Sequence, residues 1–202
     1  MNITRLMRSK VTLLLVVLPG ALAALWLVST SRAATETPDY QVVRTDGKFE
    51  VRDYPALTVA TTSMEGEEMN GGFGKLFRFI TGSNEGSEKI AMTAPVLIDT
   101  TKDKKTMSFI MPKEAVEKGV PKPAGESVTL GKVEATRFAV LRFGGGRTAE
   151  NEKAAVAKLQ AWLDAEKLSG QGAPTFAYYD PPWTPTFLRR NEVMIRVAKP
   201  HE

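Results

Sequence analysis

The side chains most capable of chemistry crowd into residues 178–197, YYDPPWTPTFLRRNEVMIRV, where Tyr178, Tyr179, Trp183, Phe187, Arg189, Arg190 and Glu192 fall within fifteen positions. Pro181, Pro182 and Pro185 restrict the backbone between them, so Trp183 and Phe187 either stand on a stiff arm over a cleft or fold back onto the core. Arg189 and Arg190 can pin anionic groups or pair with acids. Glu192, Met194 and Arg196 alternate against Val193, Ile195 and Val197. If the aliphatic face is core, Glu192 lies on the opposite face, and if that face is covered it needs a cation, Arg196 or a neighbour. A carboxylate beside phenols supports two chemistries. It can select a lipophilic cation inside an aromatic pocket, or act as general base with Tyr178 or Tyr179 as acid in a small-substrate hydrolase.

A second cluster sits upstream. Phe73, Leu76, Phe77 and Ile80 stand at i, i+3, i+4 and i+7, one face of a helix over residues 69–80, flanked by Lys75 and Arg78. That stripe packs on a sheet, or keeps part of its surface for a flat apolar ligand with the two cations at the ligand's carboxylates. Met64, Met69 and Met92 read as packing groups rather than metal ligands. Catalytic constellations are poorly represented. The single histidine is His201, beside the C-terminus, and the chain has no cysteine, no zinc-type spacing, no phosphate-cradling GxxxxGK[ST] and no GxSxG elbow. The residues read as a binding protein, not an enzyme.

The elements that must position these groups follow from period and punctuation. Residues 40–44, 49–54 and 56–62 alternate as strands, with Asp46-Gly47 as a hairpin turn. After the first helix, closed by Gly82, residues 90–98 and 106–111 read as strands. Residues 112–125, rich in proline and glycine, form a connector. Residues 128–133 and 136–143 are strands, Thr148 N-caps a helix to about Leu168, Gly170 stops it, and residues 174–179 and 192–197 are the final pair. Each half thus runs strands, helix, two strands. The pattern predicts an α+β domain of two pseudo-twofold halves, an antiparallel, barrel-like sheet with two helices.

Residues 1–10 carry Arg5, Arg8 and Lys10, residues 11–28 are apolar and uncharged, and Ser31-Arg32-Ala33 suits a signal peptidase. Residues 1–33 are therefore expected to be a signal peptide, or an uncleaved anchor through residues 11–28, followed by a linker at 34–39 and a domain at 40–198. The domain is expected outside the cytoplasm, periplasmic or secreted or held at the inner membrane. Setting aside Arg5, Arg8, Lys10 and Arg32 leaves 23 basic against 23 acidic residues, without the footprint of a phosphate-backbone binder. Nucleic acid is not an expected partner.

GGFGKLFRFITGSNEGSEKIAMTAPV at 71–96 and YYDPPWTPTFLRRNEVMIRV at 178–197, with VRDYP at 51–55 and AVLRFGG at 139–145, closely resemble the SOUL heme-binding protein family. The resemblance implies a fold related to the effector-binding domains of multidrug-responsive regulators. It also implies noncovalent binding of heme or another tetrapyrrole in an exposed apolar cleft between the first helix and the loop before the last strand. Phe73, Leu76, Phe77 and Ile80 would touch the ring, Trp183 and Phe187 would line the other side, and Lys75 or Arg78 would approach the propionates. Some members carry a histidine axial ligand, and this chain has none between Met1 and Pro200. Binding would then rest on ring burial and propionate pairing, or on Tyr178, Tyr179 or a methionine as a weaker ligand. A general amphiphile module with a pocket around Glu192, Tyr178 and Tyr179 is the alternative.

Overall fold

Alternation in the sequence becomes strand faces in the structure, a computed structural model that describes residues 35–64, 69–100 and 104–198. The order is β1 (Gln41–Asp46), β2 (Phe49–Tyr54), β3 (Leu57–Ser63), α1 (Met69–Ile80), β4 (Val96–Asp99), β5 (Thr106–Ile110), α2 (Lys113–Lys118), β6 (Thr129–Val133), β7 (Thr136–Phe143), α3 (Ala149–Ala165), β8 (Gly170–Tyr178) and β9 (Asn191–Val197). Asp46 faces Phe49 across the expected β1–β2 turn. Thr148 caps α3, its hydroxyl accepting from the Asn151 amide.

The strands form one antiparallel sheet in the order β1-β2-β7-β9-β8-β4-β5-β3-β6. Leaving out the edge strand β1, that order reads as a palindrome about the β8–β4 pair. β2 mirrors β6, β7 mirrors β3, β9 mirrors β5, and the units β3-α1-β4-β5 and β7-α3-β8-β9 are equivalent. The first strand of each half crosses to the other half, β2 onto β7 and β6 onto β3. The predicted repeat is thus present, interlocked by this exchange.

Both long helices lie on one sheet face. Leu76, Phe79 and Ile80 of α1 join Ala155, Leu159, Trp162 and Leu163 of α3 in the principal core, with Val193, Ile195 and Val197 of β9 beneath. Gly72 lets α1 approach β3 closely, since a Cβ there would meet Met64 Cγ at 3.3 Å. The face away from the helices buries a smaller cluster of Tyr54, Phe138, Val140, Ala177 and Met194. Side chains from β2 to β6 line one cavity of about 70 Å³ there, which requires the sheet to curl. This is the barrel-like form expected.

Four local expectations change. Residues 90–95 are not strand. Ala94 donates its amide to Glu36 O, and Pro95, after a cis bond, has no amide to give a ladder, so β4 starts at Val96. The connector carries a short helix, α2. Gly170 not only follows α3 but opens β8, facing Val197. The stretch read as a linker is tied down from Thr35 onward: Glu36 bridges Thr93, its carboxylate accepts from the Lys113 amide, and Asp39 pairs with the Lys113 ammonium. Residues 1–34, including the apolar run 11–28, lie outside the described residues, as does His201. Among those described no helix is long and apolar enough to cross a membrane.

Candidate functional site

Glu192 sits on the face away from the helices, as the alternation in β9 requires, and is fully buried. Burial alone would raise its carboxyl, but hydrogen bonds and charge from Arg52 and Arg190 prevail and hold it below the usual carboxylate range. Arg52 donates from Nη1 to Oε2 at 2.8 Å and from Nη2 to Oε1 at 3.1 Å. Arg190 donates from Nη2 and Nε to Oε1 at 2.7 and 3.0 Å, and the Tyr179 hydroxyl donates to Oε2 at 3.0 Å. Arg52 is itself buried between the Tyr40 ring, 4.4 Å from its guanidinium carbon, and Glu50, which accepts at 2.6 Å.

This cluster corrects several expectations. Arg196, offered as a partner for Glu192, is exposed and lies over Phe138. The partner that sequence reasoning missed is Arg52, 140 residues away in sequence. FEVRDY does place Glu50, Arg52 and Tyr54 on one face. What could not be read is that β7 alone separates β2 from β9. Tyr178, Tyr179 and Glu192 do not share a pocket. Tyr178 points to the helices, donating to Glu152 of α3, while Tyr179 lies on the other face with Glu192. Burial pushes both phenols up, helped by the neighbouring carboxylates, Glu152 for Tyr178 and Glu192 for Tyr179. Neither is poised as a phenolate ligand or as an acid near neutral pH. The 70 Å³ cavity beside the cluster is also far below the roughly 300 Å³ at which small-molecule pockets begin.

The helix stripe divides. Leu76 and Ile80 are buried against the sheet together with Phe79, so they are core and do not reach a ligand. The inner face runs through Gly72, Leu76, Phe79 and Ile80, a shift that the 3.6-residue pattern alone left open. Phe73 and Phe77 stand on its flank, 37% and 47% exposed, their rings stacked with centroids 5.8 Å apart. Phe73 also meets Phe109 edge-on at 5.3 Å. Arg78 is exposed and Lys75 half-buried on the same helix.

The proline loop is held out, not folded back: Trp183 is 84% and Phe187 81% exposed. Arg189 is not an anion clamp but a staple, donating from Nε to Thr184 O at 2.7 Å and from Nη2 to Pro182 O. Asp180, buried, accepts from the Arg190 amide at 2.6 Å, and its carbonyl accepts from Arg147. The Gly145 amide reaches Thr186 O at 3.3 Å, which ties the loop to the turn before α3. Gly145 has φ +97°, and a Cβ there would meet Asn151 Nδ2 at 2.9 Å, so the turn requires glycine.

Register puts α1 and this loop at one end of the sheet. Val96, where β4 begins, faces Tyr178, where β8 ends and the loop departs. The C-terminal turn of α1 is at that end too, since Ile80 O accepts from Ile90 just upstream of β4. Phe73, Phe77, Trp183 and Phe187 are the exposed phenylalanine and tryptophan side chains among the described residues.

A pseudo-twofold curled antiparallel sheet with two long helices on one face defines an α+β fold, here carrying exposed aromatics at its helix flank and proline loop. The chain belongs to the SOUL heme-binding protein family, whose model matches residues 35–196. Among solved structures it is similar to the C-terminal domain of EcmrR, with 12% identity, TM-score 0.57, and 79% of this chain and 98% of that one covered. A hydrolase from Listeria innocua matches at 14% identity and TM-score 0.55, over 77% of this chain and 94% of its own. EcmrR in a DNA complex matches at 11% identity and TM-score 0.56, over 95% and 70%. At such identities the likeness shows the fold alone. No curated protein matches in sequence.

Proposed function

We propose that this chain binds a tetrapyrrole, heme or a related ring, noncovalently on the α1 face that carries Phe73 and Phe77, with the Trp183–Phe187 loop as rim. The observation that carries the reading is the stacked, exposed pair Phe73–Phe77 on a helix that spends Leu76, Phe79 and Ile80 on the core. Flat aromatic surface beside Lys75 and Arg78 matches a ring bearing carboxylates, and membership of the family supports the same class. The residues fit the ring and its propionates better than they fit its metal: both candidate phenols are engaged and held protonated, and Met64 is core. Bound heme would bring an iron centre, and the chain's own contribution is ring burial, orientation and charge pairing. Affinity in the range of about micromolar follows, since association costs consume much of the area gained.

Absorbance titration of the purified chain with hemin, and fluorescence titration with the iron-free porphyrin, test this. Saturable binding of both, with dissociation constants within roughly tenfold of each other, is expected. No saturable Soret change at concentrations of tens of micromolar would remove the reading.

Two other activities lose their central group. A lipophilic-cation site and a hydrolase both need Glu192 to accept, and it already takes hydrogen bonds from two guanidinium groups and a phenol. Binding, not catalysis, is therefore proposed. One fold neighbour, EcmrR, is seen in a DNA complex, so the case against nucleic acid rests on the balanced charge of residues 34–202. A location outside the cytoplasm, by cleavage or anchoring of residues 1–33, is part of the same proposal and rests on the charge and apolar pattern there.

A further inference from the structure

Trp183 and Phe187 are the most exposed large apolar side chains among the described residues, and the loop that carries them is unusually fixed. Thr184 N donates to Pro181 O at 3.0 Å, Leu188 N to Pro185 O at 2.9 Å, and the Thr184 side of the loop is buried under the Arg189 staple. Ordering two aromatics outward in this way has no packing return within the chain. The described chain also enters at the same end of the sheet: Glu36 bridges Thr93 and accepts from Ala94, two residues before β4, whose first residue faces the last of β8. Residues 29–34 separate that entry from the uncharged apolar run 11–28, a reach of at most ~25 Å even when extended.

We propose that the loop at residues 181–188 is a membrane-docking wedge, with the Trp183 and Phe187 rings seated in the headgroup region of a lipid bilayer. Tryptophan suits that zone because its ring is apolar while its indole N–H meets the wet headgroups, and phenylalanine adds apolar surface toward the acyl boundary. Two rings alone give weak, reversible association, and stable docking takes a second anchor, which residues 11–28 supply on an uncleaved chain. Because Glu36 is held on the segment that leads into β4, at the end of the sheet where β8 delivers the loop, such an anchor draws that end toward the lipid rather than the opposite one. A partner protein would instead call for a complementary charged rim, whereas the arginines around this loop are spent internally. If the tetrapyrrole reading also holds, the cleft mouth lies at the lipid surface, where flat apolar rings partition. The docking test itself involves no porphyrin.

The chain has no cysteine, so one introduced thiol takes a polarity-sensitive fluorophore cleanly. Phe187→Cys and, separately, Trp183→Cys in the full chain would be labelled and mixed with phosphatidylethanolamine–phosphatidylglycerol vesicles, with Val42→Cys on β1 as the distant reference. A blue shift at 187 and 183, quenched by lipids carrying a shallow quencher, with residue 42 remaining in water, is the expected result. Probes at both loop positions that stay water-exposed with vesicles present would overturn the proposal. So would a shift that appears without lipid and grows with protein concentration, since the loop would then be a contact between copies. Both sites are exposed, so substitution leaves the core intact, and hemin titration of the unsubstituted parent, without vesicles, reports separately on the tetrapyrrole reading.

Discussion

Glu192 concentrates what single residues decide here. It is fully buried, yet its charge is matched by Arg52 and Arg190, and the arrangement is stabilising only while all members are ionised. Because its folded-state pKa is depressed, its contribution is present above the ordinary glutamate range and is lost as pH falls through that range toward the lower folded value. Glu192→Gln removes the charge that Arg190 pairs with and leaves Arg52 only Glu50, and a loss of about 3–5 kcal/mol at neutral pH is expected in urea unfolding. The gap to the parent should narrow as pH drops below about 4, because the parent then loses the same charge. A gap that is constant with pH would show that the folded-state pKa of Glu192 is not depressed, and one that widens as pH falls would show that it is raised. Sequence alone showed that Glu192 needs a cation, Arg196 or a neighbour: the neighbouring Arg190 does pair with it, Arg196 does not, and Arg52 was out of reach because it arrives from another strand.

Among the elements, α1 separates structural from functional aromatics. Its inner face, Gly72, Leu76, Phe79 and Ile80, is buried, and its flank, Phe73 and Phe77, is not. Leu76→Ala is expected to cost ~2–5 kcal/mol in thermal or urea unfolding, whereas Phe77→Ala costs under about 1 kcal/mol. If Phe77→Ala proves the more destabilising of the two, the flank is core and the proposed ring contact goes with it. The end of α1 was legible because Gly82 follows a strong helical period, while Gly71 and Gly72 lie inside the helix. Which residues of the stripe face the sheet was not, since i, i+3, i+4 spacing leaves a rotation of about one residue undetermined. The 90–95 segment misled for a related reason. Its apolar alternation is real, but its hydrogen bonds go to Ile80 and Glu36 instead of a ladder partner. Thr148, by contrast, announced the start of α3 through chemistry that is local and so readable.

For the molecule as a whole, the two halves were visible as an order of elements, and the exchange of β2 and β6 between them was not, because packing alone brings together partners as far apart in sequence as Phe49 and Leu141 or Leu57 and Val133. That exchange is what brings Arg52 near Glu192 and fills the far face of the sheet, where a ligand pocket around Glu192 would otherwise open. Exposed aromatic surface is left at the opposite face and at one end, where the C-terminal turn of α1, the proline loop and the entering chain converge. The most direct test of this account is hemin titration of a Phe73→Ala/Phe77→Ala variant beside the parent. Saturable binding by the parent, with an affinity lowered roughly tenfold for each ring removed, is predicted. An unchanged dissociation constant in the double variant would contradict it.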